Sequence, residues 1–218
     1  MRLAIFDMDG TLIDSAALII ETVTAAFEAA GEPAPTEAAI RSISGITARQ
    51  AMRILAPLAD EAKVEKVLRS YHEHYDRVAA GAGEPLFDGA LAALERLRHR
   101  DDTILAVATG KGYRAATALL DARGILGSFH SIETPDHNRG KPDPEMIHTA
   151  MNKAGARAAE TVMIGDTTHD MKMGKAAGVA TIGVSWGYHP TVDLRAAGAD
   201  IVIDRFDELD AAIDKLLG

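Results

Sequence analysis

The chain has 218 residues, a formal net charge of −9 and no cysteine, with 47% apolar and 25% charged residues, an ordinary globular balance. The missing cysteines exclude disulfides, thiolate metal centres and cysteine nucleophiles, and the acidic balance argues against nucleic acid or an anionic membrane as partner. No apolar stretch approaches the ~20 residues of a membrane span, and the N-terminus lacks a secretory signal, so a cytoplasmic location is expected.

Residues 3–7 read as a buried parallel strand: an apolar run, Leu3-Ala4-Ile5-Phe6, that ends in Asp7-Met8-Asp9-Gly10-Thr11. Helical spacing follows from Ser15 to Ala30 and stops at Gly31. A second helix is expected from Thr36, a loop at 42–45, and a third helix capped by Thr47 and ended by Pro57. A fourth runs from Asp60 to about Val78, with Val64, Val67, Leu68, Tyr71 and Tyr75 on one face. Gly81-Ala82-Gly83-Glu84-Pro85 then reads as a hinge.

Beyond it the texture alternates between strand and helix. Asp88 is expected to cap a helix through Leu91, Leu94 and Leu97. Strands are expected at 103–108, weakly at 128–133, and at 161–164, 179–184 and 199–203. Helices are expected after Thr109-Gly110-Lys111, after Gly140-Lys141-Pro142-Asp143-Pro144-Glu145, over Met171–Ala177 and over Asp207–Leu217. This alternation predicts an α/β fold, a Rossmann-like parallel sheet core with helices on both faces. The helical stretch interrupts it, so the expected organisation is a discontinuous core, 1–14 and 86–218, with an inserted all-helical cap and hinge over 15–85.

Parallel sheets of this kind bind ligands at the carboxyl ends of their strands. There the chain places Asp7 and Asp9, Thr109, and Asp166 with Asp170. Two carboxylates so close raise each other's pKa unless a cation separates them. An all-oxygen set completed by Asp166 suits Mg²⁺. Lys141 adds fixed positive charge, Thr109 a hydroxyl and Gly110 an unobstructed backbone N–H, a set suited to holding a tetrahedral anion before Asp7. Asp9 is placed to protonate a leaving oxygen and then to activate water, while its carbonyl remains free for the metal.

Asp7-Met8-Asp9-Gly10-Thr11, Thr109, Lys141-Pro142 and Gly165-Asp166-Thr167-Thr168-His169-Asp170 resemble, in order, the four motifs of the haloacid dehalogenase superfamily. The helical insert resembles that superfamily's helical cap, and Gly183-Val184-Ser185-Trp186-Gly187-Tyr188 resembles its phosphoglycolate phosphatase-like branch. The resemblance implies Mg²⁺-dependent hydrolysis of a small phosphorylated metabolite such as phosphoglycolate. Asp7 would be nucleophile, Asp9 acid/base, Thr109, Gly110 and Lys141 the phosphate-binding residues, and Asp7, Asp9 and Asp166 the metal-binding residues. Gly110 stands where many relatives carry asparagine. Asp170, Gly45, Arg49 and His169 are further candidates, Gly45 and Arg49 as a substrate-reading loop. The alternatives are a phosphosugar mutase on the same core and, from another class, a phosphoacceptor signalling domain. The latter would lack the helical insert after the first strand. Oligomeric state is not legible.

Overall fold

The computed structural model describes residues 1–82 and 84–218. Strands form where apolar runs are continuous: β1 (Arg2–Phe6), β2 (Thr103–Ala108), β3 (Ser131–Glu133), β4 (Thr161–Gly165), β5 (Ala180–Val184) and β6 (Ile201–Ile203). All pair in parallel, in the order β3-β2-β1-β4-β5-β6. β1 is central, with Ile5 opposite Ala106 on one side and Met163 on the other. Strand order reverses there, so the carboxyl ends of β1, β2 and β4 open on one crevice.

Side chains alternate across the strands and split the core into two layers. Phe6, Val107 and Ile164 pack with Leu94, Leu120 and Ile213 from α5 (Ala90–Arg98), α6 (Tyr113–Ala122) and α10 (Leu209–Leu217). Ile5, Ala106 and Met163 pack with Met146, Ile147 and Met173 from α7 (Glu145–Ala154) and α8 (Thr168–Ala177) on the other face. Helices thus cover both faces of a parallel sheet, as the alternating pattern requires.

Between β1 and β2 lie α1 (Ala16–Ala30), α2 (Glu37–Ser42), α3 (Ala48–Leu55) and α4 (Glu61–Ala82). They bury a core of their own: Val23, Phe27, Ile40, Met52, Val64 and Val67, with α1 packed along α4. Thr36 and Thr47 accept backbone N–H groups at the starts of α2 and α3, and Gln50 completes a capping box with Thr47. The chain leaves and re-enters the sheet region through adjacent segments. The Asp14 N–H donates to the Pro85 carbonyl at 2.8 Å, and the Phe87 N–H to the Leu12 carbonyl at 3.0 Å. The hinge expected at residues 81–85 includes Gly83, which lies outside the described residues. Among the described residues, no helix is long and apolar enough to cross a membrane.

Three local expectations change. Asp88 does not cap α5; the N-cap is Gly89, at φ +84°, where a Cβ would press on Phe206 at 3.2 Å. The region expected as one strand over 128–133 is a 3₁₀ turn at Leu126–Ser128 followed by β3. A short helix α9 (Thr191–Ala196) follows Pro190. Only Leu194 on it is buried, so it leaves no apolar stripe to read from sequence.

Gly174 sits where α8 crosses β4 and β5, and a methyl there would run into the Thr181 side chain and stand 3.3 Å from Met163 Cβ. Helix propensity alone favours Gly174→Ala by about 1 kcal/mol. Overpacking reverses the sign, and a net loss of about 1–3 kcal/mol is expected in urea unfolding. A stabilised variant would show that α8 yields at this contact.

Candidate active site

Asp7 follows β1 directly, and its N–H donates to the Ile164 carbonyl of β4 at 2.9 Å. The side chain is 1% exposed. Its Oδ1 accepts the Met8 N–H at 2.7 Å and lies 2.8 Å from Lys141 Nζ, while its Oδ2, also buried, has no partner. Lys141 is fully buried and reaches Asp170 Oδ1 at 2.6 Å as well. Asp170 is held by its other oxygen, which accepts the Thr167 N–H at 3.0 Å and hydroxyl at 2.6 Å in the capping box that starts α8.

Asp166, at the end of β4, is oriented by two donors. The Thr11 hydroxyl donates to Oδ1 at 2.8 Å and the Tyr188 N–H to Oδ2 at 2.8 Å. Gly10 permits this approach: at φ +82° it lies against the Asp166 carboxylate and the Tyr188 ring, where a Cβ would collide with both. Asp7, Asp166 and Asp170 each offer a carboxylate oxygen, and these lie within 4.8 Å of one another.

Three buried carboxylates around one ammonium leave two negative charges without a partner. Burial pushes the Asp7 carboxyl well above its ordinary range against the pull of Lys141, with Asp170 and Asp166 adding to the rise. Burial, then the Asp170 charge, raises Asp166 to about 7 despite its two hydrogen bonds and Lys141. Lys141 is raised: burial alone would lower it, but Asp170 and Asp7 outweigh that. An orphaned oxygen on Asp7 and two uncompensated charges in an all-oxygen set fit a hard divalent cation.

Asp9 has a different neighbour. Its Oδ1 lies 3.3 Å from Lys111 Nζ, outside the three-carboxylate cluster. Lys111 also donates to the Tyr75 hydroxyl of α4 at 2.8 Å and approaches Glu84 Oε2 at 3.9 Å; the Tyr75 hydroxyl in turn donates to Glu84 Oε1 at 2.6 Å. Burial would lower Lys111, but Asp9, Tyr75 and Glu84 raise it well above the ordinary value. The ammonium therefore ties Asp9 both to the helical insert and to the segment where the chain returns.

Thr109 follows β2 directly, and its Oγ1 accepts the Lys111 N–H at 3.1 Å, leaving its O–H free to donate. Asp7, Asp9, Thr109, Gly110 and Lys111 form the floor of a cavity of about 110 Å³, and α1, α3, α4 and the loop at 43–46 form its roof. The roof touches the floor through glycines. A Cβ on Gly110 would stand 2.7 Å from the Ile46 carbonyl and 2.8 Å from that of Gly45, and one on Gly140 2.8 Å from Thr47 Cγ2. Gly45, at φ +89°, rests against Thr167, where its own Cβ would meet Oγ1 at 2.9 Å. An asparagine at position 110 would thus collide with the loop above it.

Of the residues singled out from sequence, Asp7, Lys141, Asp166 and Asp170 converge on one cluster. Asp9, Thr109, Gly110 and Gly45 face the cavity. Arg49 does not: it is half exposed on α3 and pairs with Glu61 at 2.9 Å and with Glu65. His169 lies against His189, ring centroids 5.8 Å apart, outside the cavity lining. Lys111, Tyr75, Glu84 and Ser44 escaped sequence reasoning. Lys111 carried a signal, its place next to Gly110 at a strand end. Tyr75 read only as part of an apolar helix face.

The raised carboxyls fix a sign. Without a cation, Asp7 and Asp166 keep protons to higher pH in the folded chain than in the unfolded one. Their contribution to stability is therefore present at low pH and falls as pH rises above the ordinary 3.8, for Asp166 through about 7. A divalent cation must displace those protons. Added Mg²⁺ should raise Tm by more at pH 8 than at pH 5 in differential scanning fluorimetry. An equal gain at both pH values would contradict this electrostatic account.

The chain matches the haloacid dehalogenase-like hydrolase family over residues 4–184. It is 38% identical to a probable phosphatase, IndB, of Dickeya dadantii, over 99% of this chain and 94% of that one. It is 31% identical to an N-acetylmuramic acid 6-phosphate phosphatase of Pseudomonas aeruginosa, over 100% and 96%. It is 32% identical to a phosphoglycolate phosphatase of Agrobacterium fabrum, over 97% and 91%. A six-stranded parallel sheet with a helical insert, a carboxylate cluster at its switch point and relatives matched along nearly their whole length agree: the chain belongs to the haloacid dehalogenase-like hydrolase family, and the relatives that it matches in this way are phosphatases.

Proposed function

We propose that this protein hydrolyses a small-molecule phosphate monoester through an aspartyl-phosphate on Asp7, with Mg²⁺ as cofactor. The observation that carries the reading is Asp7 itself: a buried carboxylate on the cavity floor, paired to Lys141 through one oxygen, with the other free.

Asp7 attacks phosphorus, and the ester P–O bond breaks. Asp9, facing the same cavity two residues on, gives its proton to the departing alkoxide. Water then yields a proton to Asp9 and attacks the phosphorus, releasing inorganic phosphate and restoring Asp7. Thr109 O–H and the Gly110 N–H donate to the phosphoryl oxygens, and Lys141 holds Asp7 in place. Asp7, Asp166 and the Asp9 carbonyl would hold the Mg²⁺, with Asp170 beside them, and the bound ion would supply charge neutralisation on the phosphoryl oxygens. Residues 15–85 act as the cap over residues 1–14 and 86–218: their loop at 43–46 closes the cavity from above. The family resemblance makes phosphoglycolate the reference ester for comparison; the leaving-group side of the cavity sets the finer preference.

The full-length relatives favour hydrolysis over mutase transfer, and the helical insert argues against a signalling receiver. Phosphate release from a panel of phosphorylated metabolites with Mg²⁺ tests the reading. Asp7→Asn should abolish turnover while the thermal transition persists, and Asp9→Asn should lower kcat by about 10²–10⁴-fold. Near-normal rates in Asp7→Asn, or full activity in excess chelator, would refute the nucleophile or the metal.

A further inference from the structure

The roof of the cavity carries its own chemistry. Ile19 and Val23 of α1, Ile46 of the loop, Ala48 and Met52 of α3 and Tyr71 of α4 form it. Among the described lining residues the charged side chains are Asp7, Asp9 and Lys111, all on the floor. Lys111 is already shared between Asp9 and Glu84, two carboxylates for one ammonium. The arginines nearest in sequence turn elsewhere, Arg49 to Glu61 and Glu65, Arg41 to Glu37 at 2.9 Å. His72 also lines the cavity, with an exposed side chain. One polar group of the roof is buried without a partner: Ser44 Oγ, in a residue 5% exposed.

We propose that the leaving group of this phosphatase is an uncharged alcohol with an apolar body, read by Ser44, and that carboxylated phosphate esters such as phosphoglycolate are disfavoured. The inference rests on the phosphatase reading above. A carboxylate entering the cavity would meet apolar side chains and, among the described residues, no free cation, and it would lose its hydration without replacement. A neutral carbon body gains from the same wall, and a hydroxyl or ether on it satisfies Ser44.

The test compares kcat/KM with Mg²⁺ at pH 8, above the ordinary imidazole range, for 2-phosphoglycolate, 2-hydroxyethyl phosphate, ethyl phosphate and butyl phosphate. The first two differ only in a carboxylate replaced by a hydroxymethyl group. The hydroxymethyl ester should be favoured by about tenfold or more, given the cost of burying an unpaired charge. Butyl phosphate should exceed ethyl phosphate by about tenfold, two methylenes of apolar burial. Ser44→Ala should lower the ratio of 2-hydroxyethyl to ethyl phosphate, which a merely structural role would not move. Ile46→Lys, which places a cation in the roof, should shift preference towards phosphoglycolate.

Phosphoglycolate hydrolysed as well as or better than 2-hydroxyethyl phosphate, or with a disadvantage short of tenfold, overturns the inference and leaves the phosphatase reading intact. Phosphate release from none of the four esters, nor from the metabolite panel, overturns both. If Ile46→Lys fails to fold, the wild-type ratios still decide.

Discussion

The ammonium of Lys141, fully buried between Asp7 and Asp170, is the constraint on which the rest of the site depends. Burying a lysine is costly unless its charge is matched, and burying carboxylates costs as much. Here one cation serves two partners at 2.8 and 2.6 Å, with a third carboxylate, Asp166, alongside. The cluster is overcharged on the negative side, and the raised positions of Asp7 and Asp166 express burial first and that excess with it. Packing of apolar side chains alone would not leave such an imbalance at a strand end. It is stable in a folded protein when protons or a metal take up the excess, which makes it a binding device as well as a structural one.

The fold exists around this cluster in a direct sense. β1 supplies Asp7, β4 supplies Asp166, and α8 presents Asp170 through its own cap. Lys141 comes from the loop before α7, a helix on the same sheet face as α8. The parallel register that aligns Phe6 with Ile164 carries Asp7 level with Gly165, so that Asp7 and Asp166 emerge one residue apart at the same edge. Two glycines complete the fit: Gly10 for the approach of Asp166 and Tyr188, and Gly187, where any Cβ would strike Asp166. Local backbone chemistry and the long-range pairing of strands therefore specify the same geometry.

Much of this was legible in the sequence, for a physical reason. A buried strand followed at once by acids is incompatible with ordinary packing, so Asp7, Asp9 and Asp166 stand out against the apolar runs that precede them. Lys141 and Thr109 stand out less on their own and gained meaning from their order along the chain. What was not legible depended on contacts across the insert. Tyr75 obeys the apolar period of α4, and nothing in that period says its hydroxyl sits between Lys111 and Glu84. Arg49 looked available because sequence does not show that Glu61 and Glu65 on the next helix take it. Gly110 stands where many relatives carry asparagine, and sequence does not show that the backbone of Gly45 and Ile46 occupies the space of that side chain.

The two aspartates of the first motif illustrate how tertiary context separates like residues. Two positions apart at a strand end, Asp7 and Asp9 would repel each other if they shared one environment. The fold gives each its own cation: Lys141 from the core for Asp7, Lys111 for Asp9. The two cations differ in what else they hold. Lys141 pairs with two residues outside the insert, Asp7 and Asp170. Lys111 reaches Tyr75 on α4 and Glu84 on the returning segment, so the surroundings of Asp9 are complete only when the insert lies against the core. Under the proposed mechanism the nucleophile would need a constant position, whereas the acid/base group would need to meet its leaving group only once the cavity is roofed. The charge pairing of this chain thus ties the first aspartate to the core alone and the second to the insert as well.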